Sequence, residues 1–85
     1  MPRAEQYVVP PEDFILVSAG EPTEDVDLPD GCRGLLVGVA GSLNVTMSEG
    51  NVDRDNLPIF TGINPGFFSR VRVTSGGAQN IWAIL

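Results

Sequence analysis

The chain has 85 residues, with eleven acidic side chains against five arginines, no histidine and a single cysteine, Cys32. These counts exclude a disulfide within the chain and the usual Cys/His zinc sites, and the net charge of −6 argues against non-specific binding to nucleic acid. No apolar run approaches the roughly 20 residues of a membrane helix and no signal-peptide pattern opens the chain, so we expect synthesis in a cytoplasm and no membrane anchor. A domain of this size has a small core, and oligomerisation is the expected support for it.

Residues 1–13 are expected to form an extended arm. Three prolines and several polar residues surround Tyr7, Val8 and Val9. Proline favours extended geometry, and three β-favouring side chains could add a strand to the sheet edge of a neighbouring chain. A frayed terminus is the alternative interpretation of the same stretch.

A single domain is expected over 14–85, beginning with an apolar strand near 14–18. An acidic surface loop follows over 21–30, in which Val26 and Leu28 return with the period of a strand. Two further runs, 34–40 and 43–48, flank a Gly-Ser pair. Two short strand-like runs joined by a glycine turn predict a β-hairpin.

The second half of the chain predicts three more strands. The first lies near 57–61 and contains a proline, which places it at a sheet edge or a strand start. Gly62, Pro65 and Gly66 predict a turn, and residues 67–74 then alternate strictly. The last strand, 80–85, is apolar on both faces.

The whole pattern favours an all-β fold. No run of the chain has helical periodicity, and ten glycines and seven prolines fall between the short strands. Such spacing is typical of a small antiparallel β-sandwich or barrel. With the arm, this gives a fold of one β domain preceded by an extended segment.

The sequence offers no recognisable catalytic set. Cys32 has no histidine that could activate it, so we expect it to be structural. Asp25, Asp27 and Asp30 could supply oxygen ligands, but their order does not match a calcium loop of the EF-hand type. We therefore expect no enzyme activity, no cofactor and no bound metal.

Two strand faces are candidates for a partner interface. Phe68, Arg70 and Arg72 share one face of strand 67–74, and Trp82 and Ile84 share one face of the last strand. The first set could stack bases and grip phosphates, but the surplus of acid favours pairing with carboxylates of the acidic loop of a neighbouring copy. Apolar side chains on both faces of strand 80–85 would leave a monomer with exposed apolar surface.

Six groups of residues follow one another in a recognisable order: Cys32 to Gly41 with Leu43-Asn44-Val45, Glu49-Gly50, Leu57-Pro58-Ile59, Gly62 to Phe67, Arg70 to Val73 and Asn80 to Leu85. In this order they resemble the head-spike base proteins of gene transfer agents and related tailed phages. The resemblance covers about residues 32–85 and follows a scaffold pattern without a catalytic motif. It departs from the family at Ser75-Gly76-Gly77-Ala78, where a threonine-rich turn is usual.

The resemblance implies a structural virion protein, assembled in the bacterial cytoplasm and located on the capsid surface. It would form a homo-oligomeric ring, with a pentamer favoured and a trimer possible, at a fivefold vertex. Its partners would be the major capsid protein and a spike or fibre protein. The alternative function is a carbohydrate-binding or host-receptor-binding module of a phage fibre.

Overall fold

The computed structural model describes residues 12–85, which contain eight strands and no helix. The strands are β1 (Phe14–Ser18), β2 (Val26–Asp27), β3 (Gly34–Val39), β4 (Gly41–Met47), β5 (Asp53–Ile59), β6 (Gly62–Pro65), β7 (Phe68–Arg72) and β8 (Gln79–Ile84). Sheet 1 has the strand order β1-β8-β3-β6 and sheet 2 the order β2-β7-β4-β5. All pairings within the two sheets are antiparallel, so the predicted all-β antiparallel fold is confirmed. The predicted arm at 1–13 lies almost wholly outside the described residues.

Both sheets contribute to one hydrophobic core. The most deeply buried side chains are apolar and come from the inner faces of both sheets: Leu35, Val37 and Ile81 from sheet 1, and Leu43, Val45 and Val71 from sheet 2. Burial of each such side chain stabilises the fold by about 1.5–3 kcal/mol. The two sheets therefore form a face-to-face sandwich.

The predicted hairpin between 34–40 and 43–48 is wrong. β3 is paired with β6 and β8, while β4 is paired with β5 and β7, so the two runs lie in different sheets. A Cβ on Gly41 would lie 2.3 Å from the backbone nitrogen of Ala78. The glycine is needed there because two backbones cross closely, and not because the chain turns back on itself.

The predicted turn at 62–66 is also wrong, because Gly62–Pro65 is strand β6. The turn lies at residues 60–61, between β5 and β6, and the side chain of Asn64 closes it. Its Oδ1 accepts a hydrogen bond from the backbone N–H of Phe60 at 2.9 Å, and its Nδ2 donates to the carbonyl oxygen of the same residue at 2.8 Å. A side chain thus takes the backbone bonds of the turn, and the following residues are free to extend.

A β-bulge reverses the predicted alternation at the start of β7. The register between β4 and β7 shifts between Thr46 and Met47. As a result Phe68 is only 4% exposed and belongs to the core, while Phe67 is 68% exposed. The placement of Phe68 on the same open face as Arg70 and Arg72 is therefore wrong, because an extra residue in one strand moves the next side chain to the other face.

Candidate assembly interface

The outer face of sheet 1 carries a continuous line of apolar side chains. In the register of the sheet, Leu16 lies opposite Trp82, Trp82 opposite Leu36, and Leu36 opposite Ile63. Directly opposed residues in a sheet project to the same side, so these four side chains form one row across all four strands. We call this set the apolar row.

The apolar row lies on the solvent side of the sandwich. The residues next to it in sequence, Leu35 and Ala83, point into the core and are fully buried. By contrast, Ile63 is 65% exposed and Leu16 is 49% exposed, and the two central members are half-buried. The two ends of the row, at the sheet edges, are thus its most exposed parts.

Trp82 and Ile84 both lie on this outer face, as the sequence predicted for a shared face. The indole Nε1 of Trp82 donates to Asn80 Oδ1 at 2.9 Å, which satisfies its polar group on the surface. Ile84 is buried without belonging to the core cluster. It lies opposite Phe14 on one side and Gly34 on the other, in a second apolar line beside the row.

The two arginines of β7 are paired within their own chain. Arg70 Nε donates to Asp27 Oδ1 at 2.7 Å, and Arg72 donates through Nη2 to Asp55. The hydrogen bond to its carboxylate raises the pKa of each guanidinium above the ordinary value for arginine. The carboxylates of residues 25 and 27, predicted to meet Arg70 or Arg72 across a seam, are instead engaged in the same chain.

The acidic loop is fastened to the sandwich by its carboxylates. Asp25 Oδ1 accepts from the backbone N–H of Val73 at 2.9 Å, and Glu21 Oε2 accepts from that of Gly77 at 2.8 Å. Val26 and Asp27 form the short strand β2 beside β7, and the N–H of Leu28 donates to Ser69 O at 2.9 Å, so the chain returns to the sheet as the period-two spacing of Val26 and Leu28 indicated. Among residues 12–85, no group of three or more metal-ligating side chains is gathered. The thiol of Cys32 is buried and donates to Gly34 O at 3.3 Å, so it is held as a core group.

A second apolar surface lies between the edge strands β5 and β6. An open groove of about 740 Å³ is lined mainly by apolar side chains, including Met47, Val52, Leu57 and Phe67, with Glu49 and Arg54 as its charged members. A smaller groove of about 280 Å³ continues past Phe60 and Ile63. Ile63 therefore belongs both to the apolar row and to the wall of this neighbouring groove.

Sequence reasoning identified part of the outer face of sheet 1 and missed the rest. Trp82 and Ile84 are on it, whereas Phe68, Arg70 and Arg72 are not, and Tyr7, Val8 and Val9 lie outside the described residues. The members that it missed are Leu16, Leu36 and Ile63. Each was visible as an apolar residue in or beside a strand, but the row exists only through the pairing register, which is not a local signal.

Comparison with protein-family models, with curated proteins and with solved structures finds no match to the chain. In the described part of the structure, no helix is long and apolar enough to span a membrane.

Proposed function

We propose that this chain is a structural protein of a virus particle. Copies of it assemble into a ring on the capsid surface, at a fivefold vertex, and the ring is the base for a head spike or fibre. The observation that carries the self-assembly part is the apolar row across the outer face of sheet 1. The resemblance over residues 32–85 supplies the virion part.

The apolar row supports self-assembly on physical grounds. Soluble monomers rarely leave contiguous apolar patches larger than a few hundred Å² in water. Here the row spans all four strands of sheet 1 and continues into the groove beside Ile63 and Phe60, which is 70% exposed. Contact with another copy at the sheet edges removes the most exposed part of this surface from water, at Leu16, Ile63 and Phe60, and adds the support that a core of this size needs.

The second candidate function is a carbohydrate-binding or host-receptor-binding module. It is favoured by the exposed ring of Phe67 in the wall of the 740 Å³ groove, because sugars stack on exposed aromatic faces. Binding of Phe67→Ala and unaltered protein to a glycan panel tests it. Retained glycan affinity in an unaltered monomer, lost in Phe67→Ala, would favour this function over the ring.

The proposed function is tested by the native mass of the purified protein and by its co-sedimentation with empty capsids. We expect an oligomer of one defined size that binds capsids at a fixed ratio. Ile63→Lys places a charge at the exposed end of the row and should prevent assembly. Val73→Lys is the matched control, because the side chain of Val73 is also exposed but does not belong to the apolar row. A protein that stays monomeric at high concentration, with and without capsids, would refute the proposal.

A further inference from the structure

We propose that the ring is joined by strand pairing: β1 of one copy adds to β6 of the next, so that sheet 1 continues from subunit to subunit. The inference rests on the self-assembly part of the proposed function and names the two surfaces that meet. Both surfaces are the edges of the same sheet, since the strand order is β1-β8-β3-β6.

The outer edge of β1 presents unpaired backbone groups. Leu85 bonds to two consecutive residues at the start of β1: its N–H donates to Asp13 O at 3.0 Å, and its C=O accepts from the N–H of Glu12 at 2.6 Å. The C=O of Asp13 therefore faces β8. In the register of β1 with β8, alternation from that bond directs Ile15 at β8, whereas Leu16, the last residue before the register shifts, directs its N–H and C=O away from the sheet. Among the described residues, nothing pairs with the outer edge of β1.

The outer edge of β6 is built in the same way. The N–H of Gly66 donates to Arg33 O at 3.1 Å, and alternation from that bond directs Asn64 toward β3. Ile63, the next residue along, therefore directs its N–H and C=O away from the sheet. In the described part of the chain, β6 pairs with β3 alone.

The directions of the two edge strands allow a repeating contact. Every neighbouring pair in sheet 1 is antiparallel, and the sheet has four strands, so β1 and β6 run in opposite directions. A copy related by rotation about an axis along the strands keeps the same strand directions. Its β1 then lies antiparallel to the β6 that it meets, and the head-to-tail contact can repeat until a ring closes.

The register of the contact follows from the free groups. Leu16 and Ile63 each offer an outward N–H and C=O, so they can form a hydrogen-bonded pair across the seam. They are also the two ends of the apolar row. Pairing them makes the row continuous around the ring. Two residues further along, Pro65 lies opposite Phe14. Pro65 has no N–H, and the N–H of Phe14 already donates to Asp13 Oδ1 at 2.8 Å. This register therefore leaves no backbone donor unpaired at that position.

The charge distribution allows this seam. The chain carries a net charge of −6, so contact between two copies brings like charges together unless the meeting surfaces are neutral. Neither β1 nor β6 contains a charged residue. In contrast, β5 at the free edge of sheet 2 contains Asp53, Arg54 and Asp55. Charged side chains on an edge strand oppose strand addition, and β1 and β6 lack this protection.

A second copy suits these edges better than an isolated peptide strand. A stable interface takes roughly 800 Å² from each partner, which is about 15% of the surface of 5307 Å². One added strand covers only the edge itself. A whole sandwich also covers the apolar residues beside the edge, Phe60 and Ile63, which line the groove next to β6.

The seam is tested by site-directed thiol cross-linking. Leu16→Cys and Ile63→Cys proteins are prepared separately, mixed in denaturant, refolded together and treated with a short bis-maleimide. A hydrogen-bonded antiparallel pair has Cα atoms about 5.5 Å apart, but its Cβ atoms are wider apart than the roughly 3.5–4.5 Å that a disulfide prefers, so the reagent bridges the two thiols where direct oxidation would strain the pair. We expect a covalent dimer in the mixture only. Leu16→Cys mixed with Val73→Cys is the matched control, and the unaltered protein tests the buried Cys32.

The double variant carrying both cysteines tests closure. After treatment with the same bis-maleimide it should give, under denaturing conditions, a ladder of bands that ends at the native ring size. Leu16→Pro removes the outward N–H and should abolish assembly while leaving the circular-dichroism spectrum unchanged, since proline is tolerated on an edge. A ladder without an upper end would mean open filaments and would overturn the ring seam.

Three other outcomes separate the inference from the proposed function. An oligomer without the Leu16–Ile63 cross-link, or with Leu16→Cys linked to itself, overturns the seam but leaves self-assembly standing. A cross-linked ring that does not bind capsids overturns the proposed function but supports the seam. An intact chain that stays monomeric, while a chain beginning at Glu12 associates, shows that the first eleven residues occupy the β1 edge and overturns the seam.

Discussion

Leu35 and Leu36 provide a matched test of which face of sheet 1 is core and which face carries the apolar row. They are consecutive in β3 and carry the same side chain, but Leu35 is fully buried in the core while Leu36 lies in the apolar row. Replacement of each by alanine removes the same atoms. The two variants therefore differ only in the face from which those atoms are lost.

The expected costs follow from these positions. Leu35→Ala leaves a cavity between the sheets and should lower the free energy of unfolding by about 2–5 kcal/mol. Leu36→Ala loses cross-strand contacts with Trp82 and Ile63, at about 0.2–1 kcal/mol each, so its cost to one subunit should be about 1 kcal/mol. The total free energy of unfolding of an 85-residue domain is roughly 4–13 kcal/mol, so only Leu35→Ala should remove enough of it to endanger the fold.

Urea unfolding followed by far-UV circular dichroism measures these costs, at a protein concentration low enough to dissociate any ring. With a slope of about 1 kcal/mol per molar urea, Leu35→Ala should lower the midpoint by about 2 M or more and Leu36→Ala by about 1 M. Native mass at high concentration measures assembly, which Leu36→Ala should leave intact, because Leu36 lies in the interior strand β3 and not in the edge strands β1 and β6. Equal midpoints for the two variants would refute the assignment of the faces.

Three further predictions concern the crossing between the sheets, the arginines and metals. Gly41→Ala should destabilise the fold by about 2–3 kcal/mol, because its Cβ would meet the backbone of Ala78. Gly20→Ala is the control and should change the thermal midpoint little, since a Cβ there has no other atom within 4 Å. Equal thermal midpoints for the two variants would contradict the close crossing of the backbones at Gly41. Arg70→Glu should leave assembly intact, since Arg70 pairs with Asp27 on sheet 2 of its own chain, and loss of the native oligomer would show that sheet 2 takes part in the seam. Chelation of calcium should not alter the melting temperature, and a large downward shift would reveal a metal site.

The sequence predicted the strands where local pattern is decisive. Short apolar runs predicted strands at 14–18, 34–40 and 80–85, and period-two alternation predicted one at 43–48; all four lie within a residue or two of β1, β3, β8 and β4 respectively. It failed at Gly62–Pro65, where turn-forming residues make a strand because Asn64 closes the turn before them. A side chain that bonds to a backbone four residues away is not visible in composition.

Which side chains share a face was likewise predicted in part by the sequence and decided in part by the tertiary structure. The sequence by itself determined that strand 80–85 is apolar on both sides, because alternation is a property of one strand. Only the tertiary structure decided that Trp82 lies between Leu16 and Leu36, and that Phe68 enters the core. The first depends on hydrogen bonds between strands distant in the chain, and the second on a bulge in the pairing of β4 with β7. Register is a relation between two strands, and the pattern within either strand is compatible with more than one partner.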